Sequence, residues 1–219
     1  MVEITWLKHA AFKIKTESGK NIYLDPYQLP DNLEKADVII TSHEHGDHFS
    51  KSDIKKIWKD DTILIGPKSI EEKLKEFNGK GLELYKSYEV QGIKIELVPA
   101  YNIKRMRPGT NETFHPQKNK WAGSIIEVDG QVIYHAGDTE RIPEMNDLKN
   151  RNIDVAMLPC GGTYTMDFDE SSNVAVDIKP KIVIPMHNWE EDVNKYVKIL
   201  ADKDPDIKVE VLENKTLTI

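Results

Sequence analysis

Three histidines and an aspartate fall within six positions of this chain, as His43, His45, Asp47 and His48 in the stretch "SHEHGDHFS". Neutral imidazoles and carboxylates are ligands that borderline divalent ions accept, and crowding side chains that repel one another when charged makes little sense without a cation among them. Positions 43 and 45 point the same way in an extended loop and can share one ion, while Asp47 and His48 can turn towards another. The geometry suggests two metals. Further candidates stand just beyond apolar runs: His115 follows the run ending at Ala100 through a long loop, Asp138 follows "QVIYHAG", and His187 follows "KIVIP". Side chains placed past the ends of parallel strands converge at one edge of a sheet, where α/β proteins build their sites.

The elements that must position these residues are short. Val2, Ile4 and Trp6 alternate, Phe12 and Ile14 alternate, and "NIYLD" and "DVIIT" are apolar runs bounded by Gly, Pro and Asp, so the first forty residues predict strands. "SKSDIKKIWKD" predicts a helix capped by Ser50 or Ser52, and "KSIEEKLKEFNG" a second one ending at Gly79, with a strand "TILIG" between them. "IKIELVPA" alternates as a strand. Tyr101 to Lys120 has no periodicity, and a loop of that length has a function or lacks order. Asp129-Gly130 joins two apolar runs and signals a hairpin. The order "IYLDP" then "ADVIITSH" is echoed by "IYHAGDT" then "IDVAMLPCGG", which points to two related β/α halves. Helix "DESSNVAVDIK", strand "KIVIPMH", helix "EEDVNKYVKILADK" and strands "IKVEVLE" and "KTLTI" complete an alternating α/β content. No linker or low-complexity tract divides the chain, so residues 1–219 are expected to form a single domain.

The formal net charge of −7 argues against general affinity for nucleic acid or an anionic membrane. The single cysteine, Cys160, cannot form an intramolecular disulfide, and charge at Glu3 and Lys8 interrupts the N-terminal stretch where a signal peptide needs an apolar core. A reducing, cytoplasmic setting is expected. No apolar run approaches the roughly 20 residues that a spanning helix needs.

The pattern His43-Glu44-His45-Gly46-Asp47-His48, with a later histidine, Asp138 in "GDT" and a final histidine, resembles the metallo-β-lactamase fold superfamily over almost the whole chain. "WLKHAAF", "FHPQKNKWAG", "YHAGDT" and "LPCGGTYTMD" are most similar to its branch of small metal-dependent hydrolases, which includes ascorbate-6-phosphate lactonase and, more distantly, N-acyl-phosphatidylethanolamine phospholipase D. The resemblance implies a four-layer αββα sandwich. It also implies His43, His45 and His115 on one metal, Asp47, His48 and His187 on the other, and Asp138 bridging both. The related di-iron reductases have glutamate where this chain has His45, and no attached flavin domain is expected, so hydrolysis fits better than redox chemistry.

Two cations about 3.5–4 Å apart can share a hydroxide whose parent water titrates near pH ~7, which makes Asp138 and Asp47 the carboxylates expected at the reaction. Zn²⁺ is the first expectation; Mn²⁺ and Fe²⁺ suit the same donors. Asp25, in "YLDP", is a candidate acceptor for a ligand's second N–H, or a turn residue before Pro26. His9 could face the site or make a structural hydrogen bond, and His135 is assigned a supporting or structural place. Thr163, Tyr164 and Thr165 could line a pocket wall, and Cys160 is expected to be small and buried. Lys104, Arg105, Arg107, Lys118 and Lys120 in the long loop suggest a small anionic substrate, such as a phosphorylated sugar lactone or a phosphodiester, with Arg105 and Arg107 as contacts. A metal-occupied binding or regulatory protein, or a nuclease, are the competing functions, and assembly as a homo-oligomer is left open.

Overall fold

The computed structural model describes residues 1–189, 191–212 and 215–219. Within them, runs of β-branched and aromatic side chains between turn formers become strands, as their fit to a pleated surface dictates. In chain order these are β1 (Glu3–Lys8), β2 (Ala11–Lys15), β3 (Asn21–Leu24), β4 (Val38–Ile40), β5 (Ile63–Pro67), β6 (Lys80–Leu82), β7 (Ser87–Val90), β8 (Ile93–Pro99), β9 (Ala122–Val128), β10 (Gln131–His135), β11 (Val155–Pro159), β12 (Ile182–Met186), β13 (Lys208–Val209) and β14 (Thr216–Thr218). One sheet has the order β14-β1-β2-β3-β4-β5-β6, the other β13-β12-β11-β10-β9-β8-β7. Both sheets are mixed and helices flank them, which is the expected α/β class.

Each sheet passes from antiparallel to parallel pairing. β1, β2 and β3 pair antiparallel, whereas β3, β4, β5 and β6 run parallel. In the second sheet β7 and β8 are antiparallel and β10, β11, β12 and β13 parallel. The internal echo of the sequence falls on the first two parallel strands of each sheet, β3 with β4 and β10 with β11. Parallel strands covered on both faces read as continuous apolar runs, and all five residues of β11 are buried. Asp129 and Gly130 have φ of 50° and 76°, the two left-handed residues that a tight hairpin between β9 and β10 demands.

Helix α1 (Lys51–Ile57) is capped by Ser50, whose Oγ accepts from the Asp53 amide at 3.4 Å, and buries Ile54 and Ile57. The expected second helix is broken. Only Glu71–Leu74, α2, is α-helical, between 3-10 turns at Lys68–Ile70 and Lys75–Phe77; Ile70, with φ −108° and ψ 11°, interrupts the ladder at its start. Helix α3 (Phe168–Ile178) starts with a complete capping box between Asp167 and Glu170. Helix α4 (Val193–Lys203) starts at Asp192, and its buried Tyr196 meets Phe168 of α3 with ring centroids 5.9 Å apart. Burying such a side chain contributes about 1.5–3 kcal/mol. Among the described residues of the run "IKVEVLE", whose Glu213 lies outside them, only Lys208–Val209 is strand, and this β13 ends its sheet.

Met1–Leu97, Ile126–Gln131 and Leu212–Ile219 gather into one compact unit, and Val98–Ile125 with Val132–Val211 into a second. Among the described residues no helix is long and apolar enough to cross a membrane.

Candidate metal centre

In the first unit β3 and β4 run parallel with Leu24 opposite Ile40, so Asp25 emerges beside the histidine-rich loop that follows β4. Asp25 takes φ 43°, a region aspartate enters more readily than most residues, and its amide donates to Ile40 O at 3.0 Å. Its buried carboxylate accepts three hydrogen bonds of 2.7 Å, at Oδ1 from the Ser42 amide and at Oδ2 from Ser42 Oγ and His48 Nδ1. Having given its only proton to Asp25, the Ser42 hydroxyl faces His43 Nδ1, 2.9 Å away, as an acceptor. In their neutral forms His43 and His48 therefore carry hydrogen on Nδ1 and present an unprotonated Nε2. One buried carboxylate sets the tautomer of two histidines. Thr41 Oγ1, 3.0 and 3.1 Å from the carbonyls of His43 and His48, ties the loop's two ends together.

His43 Nε2 lies 3.0 Å from His45 Nδ1, with ring centroids 4.6 Å apart. Given the His43 tautomer, either His45 donates a proton or both lone pairs point at a common cation. His9, in the turn between β1 and β2 with φ 54°, joins the cluster directly. Its Nε2 lies 3.4 Å from Asp47 Oδ2, its ring meets His48 edge-on at 5.5 Å, and His9, Asp47 and His48 offer donor atoms within 4.8 Å of one another. Glu44 pairs instead with Lys73 at 2.7 Å.

In the second unit the parallel strands β10 and β12 precede Asp138 and His187, and His115 closes the long loop after β8. All three are buried. Asp138 Oδ2 lies 3.1 Å from His115 Nε2 and 3.1 Å from His187 Nε2. His115 Nδ1 meets Asn102 Oδ1 at 2.5 Å, and Asn102 Nδ2 donates to Tyr164 O at 2.8 Å, which fixes the amide so that its oxygen accepts from His115. The neutral His115 ring thus turns a lone pair toward a carboxylate oxygen at 3.1 Å. Two acceptors so close repel unless a proton or a cation lies between them, and two imidazoles with a carboxylate suit a divalent ion of the zinc type.

The turn after β12 is unusual, since His187 has φ 51°. A Cβ on Gly161 would stand 2.3 Å from His187 O, so only glycine lets the loop after β11 approach it. Cys160 donates to Met186 O at 3.5 Å, and burial pushes its thiol up to about 12, so it is a neutral packing residue at physiological pH. His135 lies buried in β10, where its Nδ1 accepts from the Gly137 amide at 3.3 Å, a structural hydrogen bond.

The long loop departs from expectation. Glu140, two residues past Asp138, accepts from the amides of Ile103, Lys104 and Arg105 at 2.7, 2.8 and 2.8 Å and from Arg105 Nη1 at 3.0 Å. Burial alone would raise its pKa, but these donors outweigh that and hold it below the ordinary carboxylate value. The Arg105 side chain is only 11 % exposed and pairs with Glu140, Glu170 and Asp167, while its Nε donates to Gly162 O at 2.7 Å. Arg105 is therefore a buried tie, and the geometry argues against the expected contact with an anionic substrate. Arg107 donates to the carbonyls of Thr113 and Phe114, Lys104 pairs with Glu170, and Lys118 pairs with Glu112. These partners give the anionic-substrate expectation no support. Ser42, Asn102 and Glu140 are the site residues that sequence reasoning passed over. Ser42 adjoins His43 and Glu140 lies two residues past Asp138, so both could have been flagged by position; nothing near Asn102 in the chain signals its role.

A family profile described as a β-lactamase superfamily domain matches residues 3–187. A UPF0173 metal-dependent hydrolase of Pyrococcus abyssi is 33 % identical over 221 residues, covering 93 % of this chain and 94 % of its own. One from Thermococcus onnurineus is 34 % identical over 222 residues, with shares of 93 % and 94 %. A crystallised protein from Parabacteroides distasonis superposes with a TM-score of 0.83 at 36 % identity, over 96 % of this chain and 92 % of that one. A metallo hydrolase of Ignicoccus hospitalis superposes with a TM-score of 0.80 at 25 % identity, over 100 % and 99 %. Matched along most of its length by the profile and by relatives a third identical to it, the chain belongs to the metallo-β-lactamase fold superfamily, among its UPF0173 metal-dependent hydrolases.

Proposed function

We propose that the protein hydrolyses an ester-type bond of a small molecule, a lactone or a phosphodiester, with two divalent cations as cofactors, zinc first and manganese or iron as the other ions these donors accept. His43, His45 and His115 would hold one ion, Asp47, His48 and His187 the other, and Asp138 both. The observation that carries this is the Asp138 oxygen 3.1 Å from two histidine Nε2 atoms. It is supported by the fixed tautomers of His43, His48 and His115, each ring held through Nδ1. Bound ions of this kind polarise a carbonyl or phosphoryl oxygen and lower the pKa of water towards about 7.

The chain's own residues supply orientation and proton handling. Ser42, Asp25 and Asn102 grip the rings of His43, His48 and His115 from behind, so these three need not turn during the reaction. The Asp47 side chain is 31 % exposed and that of Asp138 only 3 %. Asp47 is the carboxylate that water reaches, and with His9 Nε2 at 3.4 Å it can take a proton from water and return it to the leaving oxygen. The free, buried Cys160 is compatible with a reducing, cytoplasmic setting.

Elemental analysis of the purified protein tests this, followed by assays of lactones, phosphodiesters, thioesters and β-lactams with each metal restored. About two ions per chain and turnover that chelation abolishes are expected. Asp138→Ala should lose turnover and retain about one ion or fewer. Full activity in that variant refutes the assignment.

A further inference from the structure

Three partly exposed aromatic rings of the second unit stand beside its two histidine ligands. Phe114 precedes His115, and Trp189 follows His187 by two residues. Tyr164 joins them, its ring centroid 4.7 Å from Phe114 at an interplanar angle of 81° and 5.5 Å from Trp189 at 54°. Trp189 in turn meets the His187 ring edge-on at 5.6 Å. The row therefore runs without a gap from the neighbour of one ligand to the ring of the other.

The backbone is shaped to place the indole. His187 and Trp189 both hold left-handed φ, 51° and 45°, which bulky residues adopt only when their surroundings force it. Gly161 makes the room: a Cβ there would stand 2.7 Å from Trp189 Cδ1. A strained turn that served packing alone would bury its largest side chain. This one leaves Trp189 51 % exposed. The neighbouring guanidinium of Arg105 is spent on three carboxylates, and that of Arg107 lies 5.9 Å from the Phe114 ring centroid and donates to backbone carbonyls. What this part of the unit offers a ligand is aromatic surface, which binds flat apolar groups through offset and edge contacts.

We infer that Phe114, Tyr164 and Trp189 form the wall against which the substrate lies, and that the preferred substrates carry an aryl or similarly flat apolar group beside the scissile bond. The cleavage itself rests on the hydrolase function proposed above; the binding wall does not.

Two measurements on the metal-loaded full chain separate these. Equilibrium dialysis with 2-naphthol reads the wall without turnover: Trp189→Ala should weaken binding about tenfold, the value of one lost stacking partner, and Trp189→Phe should restore most of it. Hydrolysis of 2-naphthyl acetate and ethyl acetate reads the preference: the ratio of kcat/KM for the naphthyl over the ethyl ester should fall about tenfold in Trp189→Ala. Unchanged naphthol affinity or an unchanged ratio overturns the inference. If the native protein cleaves neither ester while Trp189→Ala loses naphthol binding, cleavage of open-chain carboxylic esters fails and the wall stands.

Discussion

Replacing Glu140 by alanine removes the acceptor around which residues 103–105 fold, and the size of the effect follows from the hydrogen bonds this carboxylate accepts. Three backbone amides and Arg105 Nη1 donate to it at 2.7–3.0 Å. Leaving three buried donors unsatisfied would cost about 1–3 kcal/mol each. Ile103 and Lys104 are exposed residues, however, so their amides can recover water, and Arg105 keeps Glu170 and Asp167. The cost should lie near that of breaking one buried ion pair, about 3–5 kcal/mol. For a chain of this size 1 kcal/mol moves the melting temperature by about 2–4 °C, so calorimetry should find Glu140→Ala lower by about 6–20 °C. Glu140→Gln keeps one accepting oxygen but turns an amide NH₂ toward other donors, and should lose about 1–3 kcal/mol. His115 O accepts from the Asn102 amide at 2.8 Å, just before the tied segment, so bound metal should fall with the melting temperature. A Glu140→Ala protein melting within about 2 °C of the native one would show that this carboxylate does not order the loop.

Asp25→Ala should weaken metal binding about 10–100-fold, because His48 Nδ1 and Ser42 lose the acceptor that sets their proton positions; a chelator-competition titration matching the native protein would refute that role. Asp53 governs part of the acid response. Burial raises its pKa, but Ser50, Lys56 and the amides of Leu29 and Gln28 outweigh that and hold it below its ordinary 3.8. A carboxylate with a depressed folded pKa contributes stability that is fully present above the unfolded value and is lost as pH falls through the folded one. Urea denaturation should therefore show stability falling below about pH 4, with a shallower fall in Asp53→Asn; an unaltered slope in that variant would assign the loss to other groups.

Local signals were legible wherever the physics is local. Strand runs such as "NIYL" and "IVIPM", the cap at Ser50 and the Asp129-Gly130 hairpin depend on residues a few positions apart, and they emerge as expected. The broken helix at 68–77 shows the limit, since a ten-residue run is marginal without tertiary support. Partner choice was not legible. Arg105 reads as a free surface cation until the loop's path brings it to Glu140, 35 positions away, and Asp25 reads equally as a turn residue until parallel pairing sets it beside Ser42 and His48.

The sequence by itself determined the alternation of strands and helices and the inventory of histidines and carboxylates, because periodicity and donor chemistry belong to the residues themselves. Only the tertiary structure decided which nitrogen of His43, His48 and His115 carries its proton, and which basic residues are already engaged. A lone pair takes its direction from the partner on the far side of the ring, and that partner is fixed by how the chain folds back on itself.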